Sequence, residues 1–340
     1  MRKTWLSIGV LIALVTGSTN GSAADILRLA LPVDCQKATQ CDVIKYFDHD
    51  PGPGLQDYAC GRINGGENNY PGTSIAIRDQ VEMNQGVPVL AAAAGMVLRT
   101  RDEMQDTGVF GTETREDLGA KGCGNAVVLD HGDGWTTVYC HLRRNSVRVK
   151  PGDKIETGRI IGLVGLSGLT ELPHLHFQVR HHNQPIDPFT GTAADSNDRQ
   201  PRCSVSEHPL WTTEALAVLT PYKPVFVRLM GFTTEETSVK AVRRGGADVS
   251  APSVLAPRLI LWAEIIGPRQ GDRVILSAKA PNGQEILHQS GDFHRDYSQS
   301  FLQARAERAV PTWPVGAYQG RVEILRDGRS FVRELTLNLH

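Results

Sequence analysis

From about residue 86 to 190 short apolar runs alternate with glycine turns, the pattern of brief β-strands. Val87–Ala91, Gly95–Leu98, Ala126–Asp130, Trp135–Tyr139, Val147–Val149, Ile160–Val164 and Leu175–Val179 all read this way. Residues 101–122 are polar and aperiodic, which predicts a surface insertion loop. Residues 191–210 carry Asp, Asn, Pro and Ser with little apolar content, a linker signature, and Thr212–Leu219 predicts a short helix. From Val225 the β pattern resumes. Leu259–Trp262, Arg273–Leu276, Tyr318–Leu325 and Phe331–Leu339 alternate as half-buried strands do, with turn signals at Gly245-Gly246, Asn282-Gly283 and Asp327-Gly328. Regular short strands over about 115 residues predict an immunoglobulin-like β-sandwich. It holds no catalytic constellation, so it is read as a binding or spacer module.

The N-terminus changes the picture. Arg2 and Lys3 precede an apolar run from Trp5 to Val15 that is too short for a membrane span, and Ser22 and Ala24 make a small-x-small cleavage pattern. The expectation is an exported protein cut after Ala24, periplasmic or secreted, with no membrane span thereafter. The organisation expected is a signal peptide over 1–24, a disulfide-pinned segment over 25–60, a catalytic-type domain over 61–190, a linker over 191–222 and the sandwich over 223–340. Six cysteines fit export, since an even count there reads as disulfides. Folding the Ala126–Tyr139 hairpin around His131-Gly-Asp-Gly134 brings Cys123 and Cys140 nearly opposite one another. Two of Cys35, Cys41 and Cys60 are expected to pair, with Cys203 taking the third. No C-x-x-C pair exists to suggest a cysteine metal site. Composition is ordinary, and 36 Lys+Arg against 37 Asp+Glu gives a net charge of -1, so nothing points to nucleic acid.

The candidate chemistry lies in histidines. His174-Leu175-His176 sits on an expected strand, where a period of two puts both imidazoles on one face about 7 Å apart. That spacing suits two groups converging on one metal and its water. The loop Asp130–Asp133 lacks the acidic spacing of a calcium site. Gly162–Gly168 lacks the lysine of a phosphate loop, and Gly165-Leu-Ser167-Gly168 is not a nucleophile elbow.

Several motifs stand in a telling order: Gly124-Asn125, Asp130-His131-Gly-Asp-Gly134-Trp135, Tyr139-Cys140-His141-Leu142, Lys150-Pro151-Gly152-Asp153, Gly162–Gly168 and Pro173-His174-Leu175-His176-Phe177. Together they resemble the lysostaphin-like (LytM-type) zinc metallopeptidase family, from about Tyr70 to Phe189. The resemblance implies an all-β chain: a small antiparallel peptidase domain with an open groove, followed by the sandwich. It implies peptidoglycan as the material recognised, zinc as cofactor, His176 as a metal ligand, and His141 and His174 as the catalytic pair that flanks the metal-bound water.

One departure overrides the chemistry. The family supplies its other two zinc ligands from an H-x-G-x-D motif, and here the matching stretch is Tyr70-Pro71-Gly72-Thr73-Ser74. Serine hydroxyl is a poor zinc ligand, and tyrosine binds usefully only as phenolate, with an unperturbed pKa of about 10. Changes to groups that merely orient a ligand cost about 10–100-fold in metal affinity, and here two direct ligands are replaced. Zinc is therefore expected to be absent or weakly held, and His141 and His174 to be vestigial as catalysts. Substitution by Asp79, Glu67 or His49, or a site made of His141, His174 and His176 alone, are the routes by which metal could be kept. The leading expectation is a catalytically impaired member that binds peptidoglycan or a cell-wall hydrolase; degenerate relatives act as activators of cell-wall amidases. The alternatives are an active zinc endopeptidase with substitute ligands, and a structural spacer that presents the sandwich.

Overall fold

The computed structural model describes residues 27–50, 52, 54–62, 69–110, 119–193, 203–246 and 252–340, with Met1. The expected signal segment and Glu67 lie outside the described residues. Among the described residues, no helix is long and apolar enough to cross a membrane.

Strands and antiparallel sheets make up most of the fold. A large sheet runs β1 (Asp42–Lys45), β2 (Thr73–Ala76), β9 (His174–His181), β6 (Trp135–Leu142), β5 (Asn125–Gly132), β4 (Gly95–Arg101) and β7 (Lys154–Ile155). β10 (Gln184–Asp187) extends it from β9 and pairs with β11 (Thr192–Ala193), while β3 (Pro88–Leu90) and β8 (Ile160–Leu163) form a separate pair. The core is made by the inward face of these strands, including Val127, Leu129, Tyr139, Leu175, Phe177 and Val179. Helix α1 (Gln80–Gln85) starts where Asp79 accepts from the Glu82 backbone N–H, a standard N-cap.

The N-terminal segment belongs to this sheet through β1, and is tied down by the Cys35–Cys41 and Cys60–Cys203 disulfides. The third disulfide, Cys123–Cys140, spans the base of the β5–β6 hairpin. The stretch read as a linker is in part core. Leu210 and Trp211 are buried in the first module, and Leu29 donates to the Leu210 carbonyl at 2.8 Å. The apolar residues of α2 (Thr213–Leu219) complete that contact. Sparse apolar content hid this, because only a few large side chains carry the burial. Val147–Val149 forms no strand.

Residues 226–339 fold into two facing antiparallel sheets. One is β12 (Phe226–Thr233), β13 (Arg258–Ile266) and β16 (Gln299–Glu307); the other is β15 (Glu285–Asp292), β14 (Arg273–Lys279), β17 (Gly316–Arg326) and β18 (Arg329–Leu339). Their inner faces share a core that includes Phe232, Leu261, Leu276, Tyr318, Val322 and Leu337. This is a β-sandwich. Asn282-Gly283 and Asp327-Gly328 close hairpins as expected, whereas Gly245 caps helix α3 (Val239–Arg244).

A buried ion network joins the two modules. Glu264 on β13 takes Arg243 of α3 at 2.8 and 2.6 Å, and Arg228 of β12 through Nε at 2.9 Å and through Nη2. Arg228 Nη1 then donates to the Ile77 and Arg78 carbonyls of the first module at 3.2 and 2.9 Å. Arg228 and Glu264 are fully buried and Arg243 nearly so. Burial lowers the Arg228 guanidinium pKa, and Glu264 opposes the shift. Glu264→Ala should destabilise the chain by about 3–5 kcal/mol, because it strands two buried cations. Glu334→Ala, which breaks the exposed Arg321–Glu334 pair, should be close to neutral. Urea denaturation of the two variants side by side checks the contrast.

Candidate functional site

Strand register assembles the site. β9 lies between β2 and β6, so Ser74 stands opposite His176 on one side and Cys140 opposite His176 on the other, with Ala76 opposite His174. Residues directly opposite share a face. His174, His176 and Gln178 therefore project into one groove of about 750 Å³, with Lys45, Tyr70 and His141 on its walls. Gly72 permits the Tyr70 loop to lie on β9, since a Cβ there would stand 2.4 Å from the Phe177 carbonyl oxygen.

His141 reaches the groove by a backbone device. Alternation along β6 would send it to the face away from Cys140, yet both line the groove. Its φ of 63° is left-handed, a conformation that costs a non-glycine residue on the order of 1 kcal/mol or more. Several bonds hold the conformation. His141 N–H donates to the Cys123 carbonyl at 2.8 Å, Nδ1 donates to the Ser167 carbonyl at 2.8 Å, and Ser167 Oγ donates to the Leu142 carbonyl at 2.7 Å. Gly124 makes room for this corner, because a Cβ would meet Ser167 O at 2.2 Å.

The partners assign the tautomers. Nδ1 of His174 bonds the Leu172 carbonyl at 2.9 Å and lies 3.0 Å from Thr170 Oγ1. A carbonyl only accepts, so in both His141 and His174 the Nδ1 carries a proton, and in the neutral His174 ring the lone pair lies on Nε2. The two rings are 4.7 Å apart. Burial, and then the neighbouring His141, push the His174 pKa well below 6.5. His176 is also held well below 6.5, by burial and then by His141, Lys45 and Arg180. His174 and His176 are thus held as neutral imidazoles.

His176 is different, because both its nitrogens are engaged. Arg180 donates to Gln178 Oε1 at 3.1 and 2.7 Å, which turns the amide nitrogen of Gln178 toward His176 Nε2 at 2.7 Å. Nε2 accepts, so Nδ1 carries the proton and donates to the Tyr70 hydroxyl at 2.7 Å. Tyr70 in turn bonds Ser74 Oγ at 2.6 Å. The Lys45 ammonium lies 5.0 Å from the centre of the Tyr70 ring. Tyr70 and Ser74 thus hydrogen-bond to one another and pack against Nδ1 of His176.

Zinc does not fit this arrangement. The His176 nitrogen that faces Tyr70 and Ser74 presents a proton instead of a lone pair, and its two neighbours are hydroxyls. Among the described residues, no group of three or more His, Cys, Asp or Glu side chains is placed to hold a metal ion. The residues weighed as substitutes are occupied elsewhere: His49 Nε2 bonds Asp187 at 2.7 Å, and Asp79 caps α1. Trp135 stacks on His181, ring centres 4.3 Å apart, which is packing away from the groove. Sequence reasoning passed over Gln178, Arg180 and Lys45. The alternation that singled out His174 and His176 continues to Gln178, so that one was within reach.

Residues 79–188 match the model described as "Peptidase family M23", and this stretch of the chain is an M23 peptidase domain of the LytM type. The matched stretch contains His141, His174 and His176 and begins after Tyr70 and Ser74. Cell division protein DipM of Caulobacter vibrioides is 31% identical over 110 residues, which cover 31% of this chain and 15% of that protein. DD-carboxypeptidase/endopeptidase Mpg of Neisseria meningitidis is 33% identical over 107 residues, covering 31% and 20%. Peptidoglycan DD-endopeptidase ShyA of Vibrio cholerae is 31% identical over 102 residues, covering 30% and 19%. The chain thus spans a fifth or less of the length of these relatives.

Two predictions follow from the hydrogen-bond chain and the burial of the imidazoles. Tyr70→His combined with Ser74→Asp should let the chain take up close to one zinc per molecule, measured by elemental analysis after dialysis; no uptake would mean that the loop, and not the two side chains, excludes metal. Folded His174 and His176 resist protonation while the unfolded chain protonates near 6.5. Below that pH the unfolded state binds more protons, so stability should fall as pH drops from 6.5 toward the lowered folded-state values. Melting curves should show the slope reduced in His174→Gln.

Proposed function

We propose that this is an exported cell-envelope protein whose M23-type groove binds peptidoglycan peptides without cleaving them. The observation that carries the reading is the protonated Nδ1 of His176 against the Tyr70–Ser74 pair. In the family pattern His176 would hold the metal, and His141 and His174 would serve the reaction. Here the same groove is a preformed polar surface lined by His141, His174, Gln178 and Glu171. An extended peptide, with its regular N–H and C=O groups, is the ligand such a groove suits. Three disulfides support an oxidising compartment, and the periplasm is the location proposed. The names of relatives such as peptidoglycan DD-endopeptidase ShyA add support for cell-wall material as the ligand class.

The test is metal content, cleavage and binding on one preparation. The expected result is no stoichiometric zinc, no muropeptide release from purified peptidoglycan, and co-sedimentation with that peptidoglycan which His141→Ala and His174→Ala weaken several-fold. One zinc per chain, lost in His176→Ala and accompanied by chelator-sensitive cleavage, would replace this reading with an active endopeptidase. Failure to sediment, together with capture of an envelope hydrolase by the immobilised chain, would make the groove a protein-docking site.

A further inference from the structure

The sandwich enters the groove. Ile266 at the end of β13, and Ser298 and Gln299 at the start of β16, line it beside His141 and His174. Gln299 meets the first module at Glu171, in the loop just before β9. Glu171 Oε2 accepts from Arg243 Nη1 at 3.2 Å and from the Gln299 amide nitrogen, and Arg243 also donates to Gln299 Oε1. Arg243 rests on the buried Glu264, which also holds Arg228. The residues on either side of Glu171 are Thr170 and Leu172, whose Oγ1 and carbonyl meet His174 Nδ1. One ionic network, rooted in the second module, therefore ends on Glu171, between the two residues whose groups set the proton position of a groove histidine.

We propose that the sandwich is a working wall of the binding groove, which rests on the groove being a peptide site. Arg243 and Gln299 are positioning residues: they hold the 170–172 loop and, through it, the Nδ1–H form of His174. Glu171 is the ligand-contacting residue of this wall. Its side chain is 50% exposed, it lines the groove, and its Oε1 makes no bond among the described residues. A half-exposed carboxylate accepts hydrogen bonds and attracts cations. The portion of the ligand that passes the histidines toward the sandwich thus carries an amine or amide donor, and a carboxylate at that position is disfavoured.

The experiment uses the full chain with its disulfides intact and two probes: an uncross-linked peptidoglycan stem tetrapeptide with a free side-chain amine, and the same peptide with that amine acetylated. Calorimetry should show the free-amine peptide bound more tightly, and Glu171→Gln should weaken it about tenfold while changing the acetylated peptide little. Nitrogen-15 spectra of the imidazoles should show His174 as the Nδ1–H form in the parent chain, and a mixture of tautomers in Gln299→Ala and Glu171→Ala, a signature that mere loss of stability does not produce. Equal affinity of parent and Glu171→Gln for the free-amine peptide overturns the ligand contact. An unchanged His174 in both alanine variants overturns the positioning role, with or without peptide. A parent chain that binds neither peptide overturns the peptidoglycan reading instead, and leaves the imidazole spectra to judge the clamp.

Discussion

The register of β9 against its two neighbours is the constraint on which the groove rests. Its hydrogen bonds to β2 set Ser74 beside His176, and those to β6 set Cys140 there from the other side. Side chains alternate with a period of two, so a slip by one residue would turn His174, His176 and Gln178 to the opposite face. The Cys123–Cys140 disulfide and the left-handed His141 sit at the end of the same pairing. The strain at His141 is sustained by the Ser167 carbonyl, which takes its ring, and the Cys123 carbonyl, which takes its backbone N–H.

Given that register, burial decides the chemistry. A buried imidazole must find partners for its polar atoms, and those partners determine where its proton sits. His141 and His174 spend Nδ1 on carbonyls. His176 spends both nitrogens within the protein, on Gln178 and Tyr70. A chain of hydrogen bonds therefore runs from Arg180 through Gln178, His176 and Tyr70 to Ser74.

The ion network between the modules answers a different need. Burying Arg228, Glu264 and Arg243 carries a desolvation penalty that apolar packing would avoid. What the charges add is direction. Arg228 reaches the Ile77 and Arg78 carbonyls just beyond β2, and Arg243 reaches the loop that precedes β9, so the sandwich grips both strands that build the site. The packing of Ile266 into the first core makes the same junction apolar at its centre.

Much of the fold could be read from local pattern. Alternation marked most strands, the hairpin around His131-Gly-Asp-Gly134 placed Cys123 against Cys140, and the period of two put His174 and His176 on one face. Tertiary structure decided what has no local period. Trp211 is core despite polar surroundings, because it packs against Phe177 of β9 and Phe189 in the turn after β10. Arg243 and Gln299 meet Glu171 at the groove because charge compensation selects partners by proximity in space, across 128 residues in the bond from Gln299 to Glu171. The sequence by itself determined which side chains are present and which face of a strand they share. Whether a histidine nitrogen points a lone pair or a proton into the groove depends on its buried partners, and only the folded chain brings those together.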